Sequence, residues 1–359
     1  MQPSQERLLD SVVWVIRESS SEHPADSKLR ERLKTSWMGA DGKREVARMV
    51  FRYYRWLGWL PRESSLELQI EAASKMNVDL VSTEDLFKLA VPGWVSDHVD
   101  VSEGWLRSLQ VDPVLWIRAK ASGAEALRNV LPGLSKAHPE VPQAYAYTGT
   151  EDLFRTDSFT AGQFEIQDLS SQRVSMACAP KPGETWWDAC AGEGGKMLHL
   201  ADLMQGKGLI WASDVAEWRL EKLKKRAKRA GVFNYRLAPW TKSGRPPIKT
   251  KFDGILVDAP CSGAGTWQRN PQARWTLSST DVTRLAQEQG KILNSVVSNL
   301  KPGGRLIYAV CTLTKDETTA VSDCFAAQHP ELEELERRWL WPHLQGGNGM
   351  YYAIWRLKS

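Results

Sequence analysis

From about residue 171 onward, short apolar runs alternate with stretches whose apolar positions recur at helical spacing. Thr185-Trp186-Trp187-Asp188-Ala189-Cys190, Leu209-Ile210-Trp211-Ala212-Ser213-Asp214, residues 253–257 and residues 305–310 read as strands. Helices fall between them: one ending near Met204, one over 216–230 and one over about 280–300, the last stopped by Lys301-Pro302-Gly303-Gly304. Such alternation predicts a mostly parallel, doubly wound sheet. Met350-Tyr351-Tyr352-Ala353-Ile354-Trp355 reads as a late antiparallel strand.

The first hundred residues show a different period. Leu8, Leu9, Val12, Val13 and Ile16 recur as on a helix, and a second helical stretch covers 29–59 with an interruption at 39–42. Ser64 or Ser65 and Ser82 or Thr83 are candidate caps for two more helices. Arg44, Arg48, Arg52 and Arg55 interleave with Val46, Val50, Phe51 and Tyr54. That face reads either as a solvated helix surface or as an RNA-docking surface, since Arg and Lys beside aromatic rings suit phosphate contact and base stacking. A short α+β unit follows: a strand over 113–118, a helix over 123–134 and a strand over 143–147, with Ser170 or Ser171 capping the helix that enters the next domain. The predicted organisation is an all-helical domain (1–110), a small α+β, RRM-like platform (111–168) and a Rossmann-like domain (169–359).

Chemistry concentrates where strands end. Asp258-Ala259-Pro260-Cys261-Ser262-Gly263 follows the apolar run Gly254-Ile255-Leu256-Val257, and ligands of open α/β sheets bind outside the carboxyl ends of strands. The turn Ala191-Gly192-Glu193-Gly194-Gly195-Lys196 allows close backbone approach. It is neither Gly-x-Gly-x-x-Gly nor a P-loop. Asp214, ending the second strand, suits the two hydroxyls of a ribose. Together they point to a nucleoside-bearing cofactor, and S-adenosyl-L-methionine, with a ribose and adenine but no phosphates, fits. On the helix after Asp214, Leu220, Leu223, Ala227 and Ala230 share one face and Arg219, Lys222, Arg226 and Arg229 another. Arg236, Lys242, Arg245, Lys249 and Lys251 follow. This charge reads as a solvated face or as a phosphate-tracking patch.

Composition adds limits. The chain has 359 residues, 42% hydrophobic and 25% charged, with a net charge of +4; these are the values of a globular protein of more than one domain. No apolar run approaches the roughly 18 residues of a membrane span, and the polar start lacks a signal-peptide core, so a cytoplasmic monomer with no membrane partner is expected. Cys178, Cys190, Cys261, Cys311 and Cys324 are odd in number and form no Cys-x-x-Cys pair, so neither a disulfide framework nor a zinc site is expected.

Several blocks resemble the RNA cytosine-5 methyltransferases of the NSUN/Fmu type. Asp188-Ala189-Cys190-Ala191-Gly192-Glu193-Gly194-Gly195-Lys196 is similar to that family's cofactor loop, with Gly192-Glu193 where the family has Ala-Pro. Asp214 followed by Arg219 resembles its ribose-binding strand end. Asp258-Ala259-Pro260-Cys261-Ser262-Gly263, continuing to Arg274-Trp275, and Tyr308-Ala309-Val310-Cys311-Thr312, with Glu317 after it, resemble its two cysteine blocks. Leu169-Ser170-Ser171-Gln172 and the ending Gly349-Met350-Tyr351-Tyr352-Ala353 fit as well. The likeness covers roughly residues 110–359. Three further positions depart from it: no acidic residue follows the third strand, which reads Leu237-Ala238-Pro239-Trp240; Val310-Cys311-Thr312 keeps the thiol where the family usually has Thr-Cys-Ser; and the platform strand ends in Ala119 where the family typically has Asn.

The resemblance implies a class I methyltransferase fold, cofactor contacts from Asp188, from Cys190, Ala191, Gly192, Glu193, Gly194, Gly195 and Lys196, and from Asp214, Arg219, Asp258 and Pro260. It implies that Cys311 adds to carbon 6 of cytosine, that Asp258 stabilises the ring at N3 and the amino group, and that Cys261 assists release. A proton-donating role for Asp258 requires a raised pKa. The expected substrate is RNA, ribosomal in preference to transfer RNA, with the base flipped or single-stranded. A catalytically silent RNA-binding assembly factor, and a methyltransferase of DNA or of a small molecule, remain alternatives on the same fold.

Overall fold

The computed structural model describes residues 5–34, 38–120, 123–241 and 246–359; Lys242 and Arg245 of the basic run lie outside them. The chain divides into two compact units, one of residues 1–113 with 262–281, the other of 114–261 with 282–359.

The first unit is helical: α1 (Gln5–Glu18), α2 (Ala25–Lys34), α3 (Ala40–Trp56), α4 (Leu66–Lys75), α5 (Thr83–Leu89), α6 (Val95–His98) and α7 (Glu103–Ser108). Val12, Val15, Val46, Val50 and Ile70 share its core. The stretch expected over 29–59 is two helices, and the second runs through Gly42, which is buried within it. Ser65 and Ser82 cap α4 and α5 by accepting the amides of Leu68 and Asp85. The arginines of α3 have local partners. Arg44 and Arg48 pair with Asp41 and Glu45 one turn earlier. Arg52 donates to the carbonyl of Ala73 at 2.8 Å. Arg55 is buried and pairs with Asp112 at 2.8 Å.

The second unit opens with β1 (Leu115–Ala119), α8 (Ala124–Val130), β2 (Leu134–His138), β3 (Val141–Tyr147), α9 (Asp157–Thr160) and β4 (Phe164–Ile166). The strands form an antiparallel sheet in the order β2-β3-β1-β4. Sequence reading carried the helix to 134 and missed β2. The helix stops before Pro132-Gly133, and β2 is an edge strand with no buried residue and so no buried alternation.

The chain then runs through α10 (Leu169–Ala177), β5 (Thr185–Asp188), α11 (Gly195–Leu203), β6 (Leu209–Ala212), α12 (Glu217–Ala230), β7 (Tyr235–Leu237) and β8 (Phe252–Asp258). It leaves for the first unit, where α13 (Ala273–Thr276) lies, and returns along α14 (Ser279–Val296) to β9 (Leu300–Val310), α15 (Thr319–Gln328), β10 (Leu332–Leu340), α16 (Pro342–Gln345) and β11 (Met350–Leu357). The cap of α10 is Asp168, accepting the Ser170 amide at 2.9 Å, and neither Ser170 nor Ser171. Asp168 also accepts the amide of Asn348, so one carboxylate serves two backbone segments. Within the excursion, Arg274 is fully buried and donates to the carbonyls of Ala90 (2.7 Å) and Arg55 (3.0 Å) at the ends of α5 and α3. Burial, and then neighbouring Arg55, pull its pKa down to about 9.

The large sheet has the order β10-β11-β9-β8-β5-β6-β7. β5, β6, β7, β8 and β9 pair in parallel, and β11 runs antiparallel to β9 and β10. Both faces are covered, as a doubly wound sheet requires. Trp186, Leu256, Ile307, Ala309 and Tyr352 enter one core with α11 and α12, while Trp187, Ile255, Val257, Tyr308 and Tyr351 enter another with α14 and α15. Edge strand β10 was not visible in the sequence because Glu333, Glu334, Glu336, Arg337 and Arg338 fill it.

The platform is fixed to this sheet's helices by buried polar bonds. Arg118 on β1, fully buried, donates to Gln167 at 2.7 Å and pairs with Asp202 on α11. Glu165 on β4, 5% exposed, receives Arg226 at 2.9 Å and Arg229, both from α12. This alters the expected basic face. Arg226 and Arg229 are structural ties to the platform, and Lys222 pairs with Glu193 at 2.7 Å on the surface.

Candidate active site

β5 lies between β6 and β8, so the chain winds outward in opposite directions from its two sides. The crevice at the carboxyl ends of these strands is the topological switch point. There the structure holds a cavity of about 550 Å³. It is lined by Cys190, Ala191, Gly192, Glu193, Gly195 and Lys196 after β5, by Asp214, Val215 and Arg219 after β6, by Asp258, Ala259, Pro260 and Cys261 after β8, and by Cys311 after β9. Asp188 and Gly194 lie outside the lining. Further wall, unforeseen from the sequence, comes from Trp240 and Thr241 after β7 and from Glu288, Lys291, Ile292 and Ser295 on α14, with Ser171 and Ala189 completing it.

The turn after β5 is held by the residues that follow β6. Ala191 N–H donates to Ser213 O at 2.8 Å, and Gly192 N–H donates to Asp214 Oδ2 at 2.9 Å. Asp214 Oδ1 accepts the Ala216 amide at 2.8 Å. Gly194 caps α11 in the left-handed region at φ +86°, and a Cβ there would approach Leu223 Cγ to 2.7 Å. Glycine is therefore demanded at this position by conformation and by the approach of α12. Glu193 points outward to Lys222. Trp240 stands where an acidic residue was sought: its Nε1 donates to Ala189 O at 2.7 Å and its ring packs 5.6 Å from that of Trp187.

Three carboxylates crowd the strand ends. Asp188 is buried at the end of β5, and burial, followed by the charge of Asp258, pushes its pKa up to about 8. Lys196 Nζ donates to Asp258 Oδ2 at 2.7 Å. Burial pulls the Lys196 pKa down, but Asp258 outweighs it and the net shift is upward, so Lys196 stays charged.

The two thiols meet across β8 and β9. Cys261 Sγ and Cys311 Sγ are 3.3 Å apart, both partly exposed. The pKa of Cys311 is lowered, first by its hydrogen bond with Cys261 and against the opposing effect of burial. Cys190, in the same cavity, is pushed far upward by burial and then by Asp188, so it stays a thiol.

A model of the family described as 16S rRNA methyltransferase RsmB/F matches residues 175–356, about half of the chain and nearly all of the large sheet. The chain belongs to that family. The Bacillus subtilis protein named "Probable ribosomal RNA small subunit methyltransferase B" is 35% identical over 223 residues, 57% of this chain and 50% of that protein. The ribosomal RNA small subunit methyltransferase B of Klebsiella pneumoniae is 29% identical over 283 residues, 73% of this chain and 65% of that protein. This chain thus spans roughly half to two thirds of the length of these relatives. A methyltransferase homolog protein from Pyrococcus horikoshii has a solved structure that superposes with a TM-score of 0.67 at 25% identity, covering 77% of this chain and 98% of that one. The fold is the doubly wound sheet expected from the strand–helix alternation, in the Rossmann-like methyltransferase form that the resemblance implied.

The cofactor that goes with this membership is S-adenosylmethionine, and the residues present fit it. Asp214 stands at the end of β6, the place for a ribose-binding carboxylate. The glycine turn gives backbone access, and the cavity has the size of a small-molecule site.

Proposed function

We propose that this chain methylates carbon 5 of a cytosine in RNA, with ribosomal RNA of the small subunit as the substrate class. The observation that carries the reading is the pair of thiols 3.3 Å apart beside Asp258. Carbon 5 of cytosine is a poor nucleophile. Addition of a thiolate to carbon 6 makes an enamine whose carbon 5 can attack, splitting one hard step into easier ones.

Cys311 is the nucleophile of this scheme, the role the family resemblance gives it, and its hydrogen bond with Cys261 lowers its pKa. Its sulfur bonds carbon 6, the pair of the 5,6 double bond shifts to make a double bond between carbons 4 and 5, and the pair of the bond between carbon 4 and N3 moves onto N3. Asp258 faces N3 and the amino group, with Lys196 beside it, so that charge arriving at N3 meets a polar pair already in place. S-adenosylmethionine, when bound, supplies the methyl group as an electrophile. Asp214, the backbone of 190–193 and the Trp240 ring hold that cofactor. Release then requires loss of the proton on carbon 5 and cleavage of the bond between Cys311 sulfur and carbon 6. Cys261, its own proton already given up to solvent, takes that proton as a thiolate; the pair of the broken carbon–hydrogen bond re-forms the 5,6 double bond, and Cys311 leaves as a thiolate. The base reaches the cavity single-stranded or flipped.

The test is bisulfite sequencing of total RNA from cells with and without the gene. A cytosine in small-subunit ribosomal RNA that loses protection with the gene supports the reading. Unchanged protection throughout, together with no methyl transfer by the purified chain to RNA, favours an RNA-binding assembly factor.

A further inference from the structure

β8 and β9 pair in parallel with Val257 opposite Tyr308 and Asp258 opposite Ala309, and the Ala259 amide donates to Ala309 O at 2.9 Å. Beyond that bond the two strands turn into separate loops, and the thiols stand on those loops. The distance between the sulfurs therefore depends on how loop 260–261 is held relative to loop 311–312. One buried amide spans them. Gln289, fully buried on α14, donates through Nε2 to Pro260 O at 2.9 Å and to Glu317 Oε1 at 3.0 Å. The other oxygen of buried Glu317 accepts from Thr312 Oγ1 at 3.0 Å and Thr314 Oγ1 at 2.8 Å. The Tyr308 hydroxyl lies 2.8 Å from Gln289 Oε1 and 2.6 Å from Glu317 O.

We propose that Gln289 is a positioning residue for the thiol pair, tying the carbonyl before Cys261 to the carboxylate that holds the residue after Cys311. The proposal rests on the reading of Cys311 as nucleophile and Cys261 as the releasing thiol. The chemistry of the amide fits this task. Its two N–H groups meet two acceptors on different loops, and its oxygen lies within hydrogen-bonding distance of the Tyr308 hydroxyl. A hydrophobic residue of the same size would leave buried acceptors without donors. Burial pushes the Tyr308 pKa far up, so the phenol keeps its proton. A carboxylate alone at 289 would face Glu317, and a shorter amide would not reach both loops. Such a fully satisfied buried network fixes one geometry. The consequence is that the hydrogen bond between the Cys261 and Cys311 thiols, and with it the acidity of Cys311, is set by Gln289 on α14.

Alkylation by iodoacetamide, mapped to individual cysteines across pH in the full chain, tests this. In Gln289→Leu the midpoint of Cys311 alkylation should rise by about one unit, slowing the reaction near neutral pH about tenfold, with S-adenosylmethionine affinity unchanged. A Cys311 profile superimposed on that of the wild type, in a folded protein, overturns the proposal. If Gln289→Leu does not fold, the exchange Gln289→Glu with Glu317→Gln decides. It restores the bond between α14 and residue 317 and keeps both threonine bonds, but leaves the Pro260 carbonyl without its donor. With the Cys261 loop freed, the Cys311 midpoint should rise and the Cys261 profile should be displaced; wild-type profiles at both thiols overturn the proposal. These measurements need no RNA. A wild-type chain that transfers no methyl group refutes the proposed reaction while leaving the alkylation result to judge Gln289.

Discussion

The sulfurs of Cys261 and Cys311 lie 3.3 Å apart, one at the end of β8 and the other at the end of β9. Adjacent parallel strands bring them together, and the hydrogen bond with Cys261 lowers the pKa of Cys311. Different outcomes are therefore expected on removing each. Cys311→Ala should lose methyl transfer and any covalent RNA adduct. Cys261→Ala should still form the bond and fail to resolve it, accumulating a protein–RNA adduct that survives denaturing electrophoresis. An adduct with Cys311→Ala and none with Cys261→Ala would reverse the assignment.

Asp214, proposed to bind the ribose, accepts two backbone amides, those of Gly192 and Ala216. Asp214→Ala should weaken S-adenosylmethionine binding by about 1.5–3 kcal/mol, the range for hydrogen bonds to a charged group. Titration calorimetry measures this directly, and unchanged affinity removes Asp214 from the cofactor site.

Glu165 joins the platform to α12 through Arg226 and Arg229. Glu165→Ala leaves two partly buried guanidinium groups without their carboxylate, and breaking such a pair costs about 3–5 kcal/mol. Chemical denaturation should show that loss. Arg226→Ala should leave the salt dependence of RNA binding as it is, because its charge is spent inside the fold. A slope that flattens by about 0.7–0.9 would instead mark Arg226 as a phosphate contact.

Asp188 gives a pH dependence of known sign. Its folded pKa of about 8 stands above its ordinary value of 3.8. The folded chain therefore binds more protons than the unfolded chain between those values, and its stability falls as pH rises through that window. The contribution is fully present below about pH 4 and lost above about pH 8. In Asp188→Asn this part of the slope should vanish, as read from urea midpoints of the cofactor-free protein at pH 5, 6, 7 and 8. An identical slope in the variant would show that Asp188 ionises normally.

The sequence by itself determined the strand–helix alternation, the glycine turn, the strand-end carboxylates and the identity of both thiols. Each is a local property: a period of two or of 3.6 residues, a residue type with special backbone freedom, or a reactive group where an apolar run stops. It did not show β2 or β10, because edge strands carry polar residues that hide the period. It assigned Arg226 and Arg229 to a surface because charge on a helix face ordinarily faces water, and only the partner strand reveals Glu165 beneath them. It could not find Trp240 as part of the cavity wall, nor Gln289 and Glu317 as the frame of the thiols. Their neighbours are distant in sequence, and contacts of that kind exist only once the sheet has brought β8, β9 and α14 together. Tertiary packing likewise decided that residues 262–281, which follow the thiol of Cys261, fold with the N-terminal helices. Arg274 found its acceptors on the ends of α3 and α5, and a buried guanidinium is tolerable only where such carbonyls already wait for it.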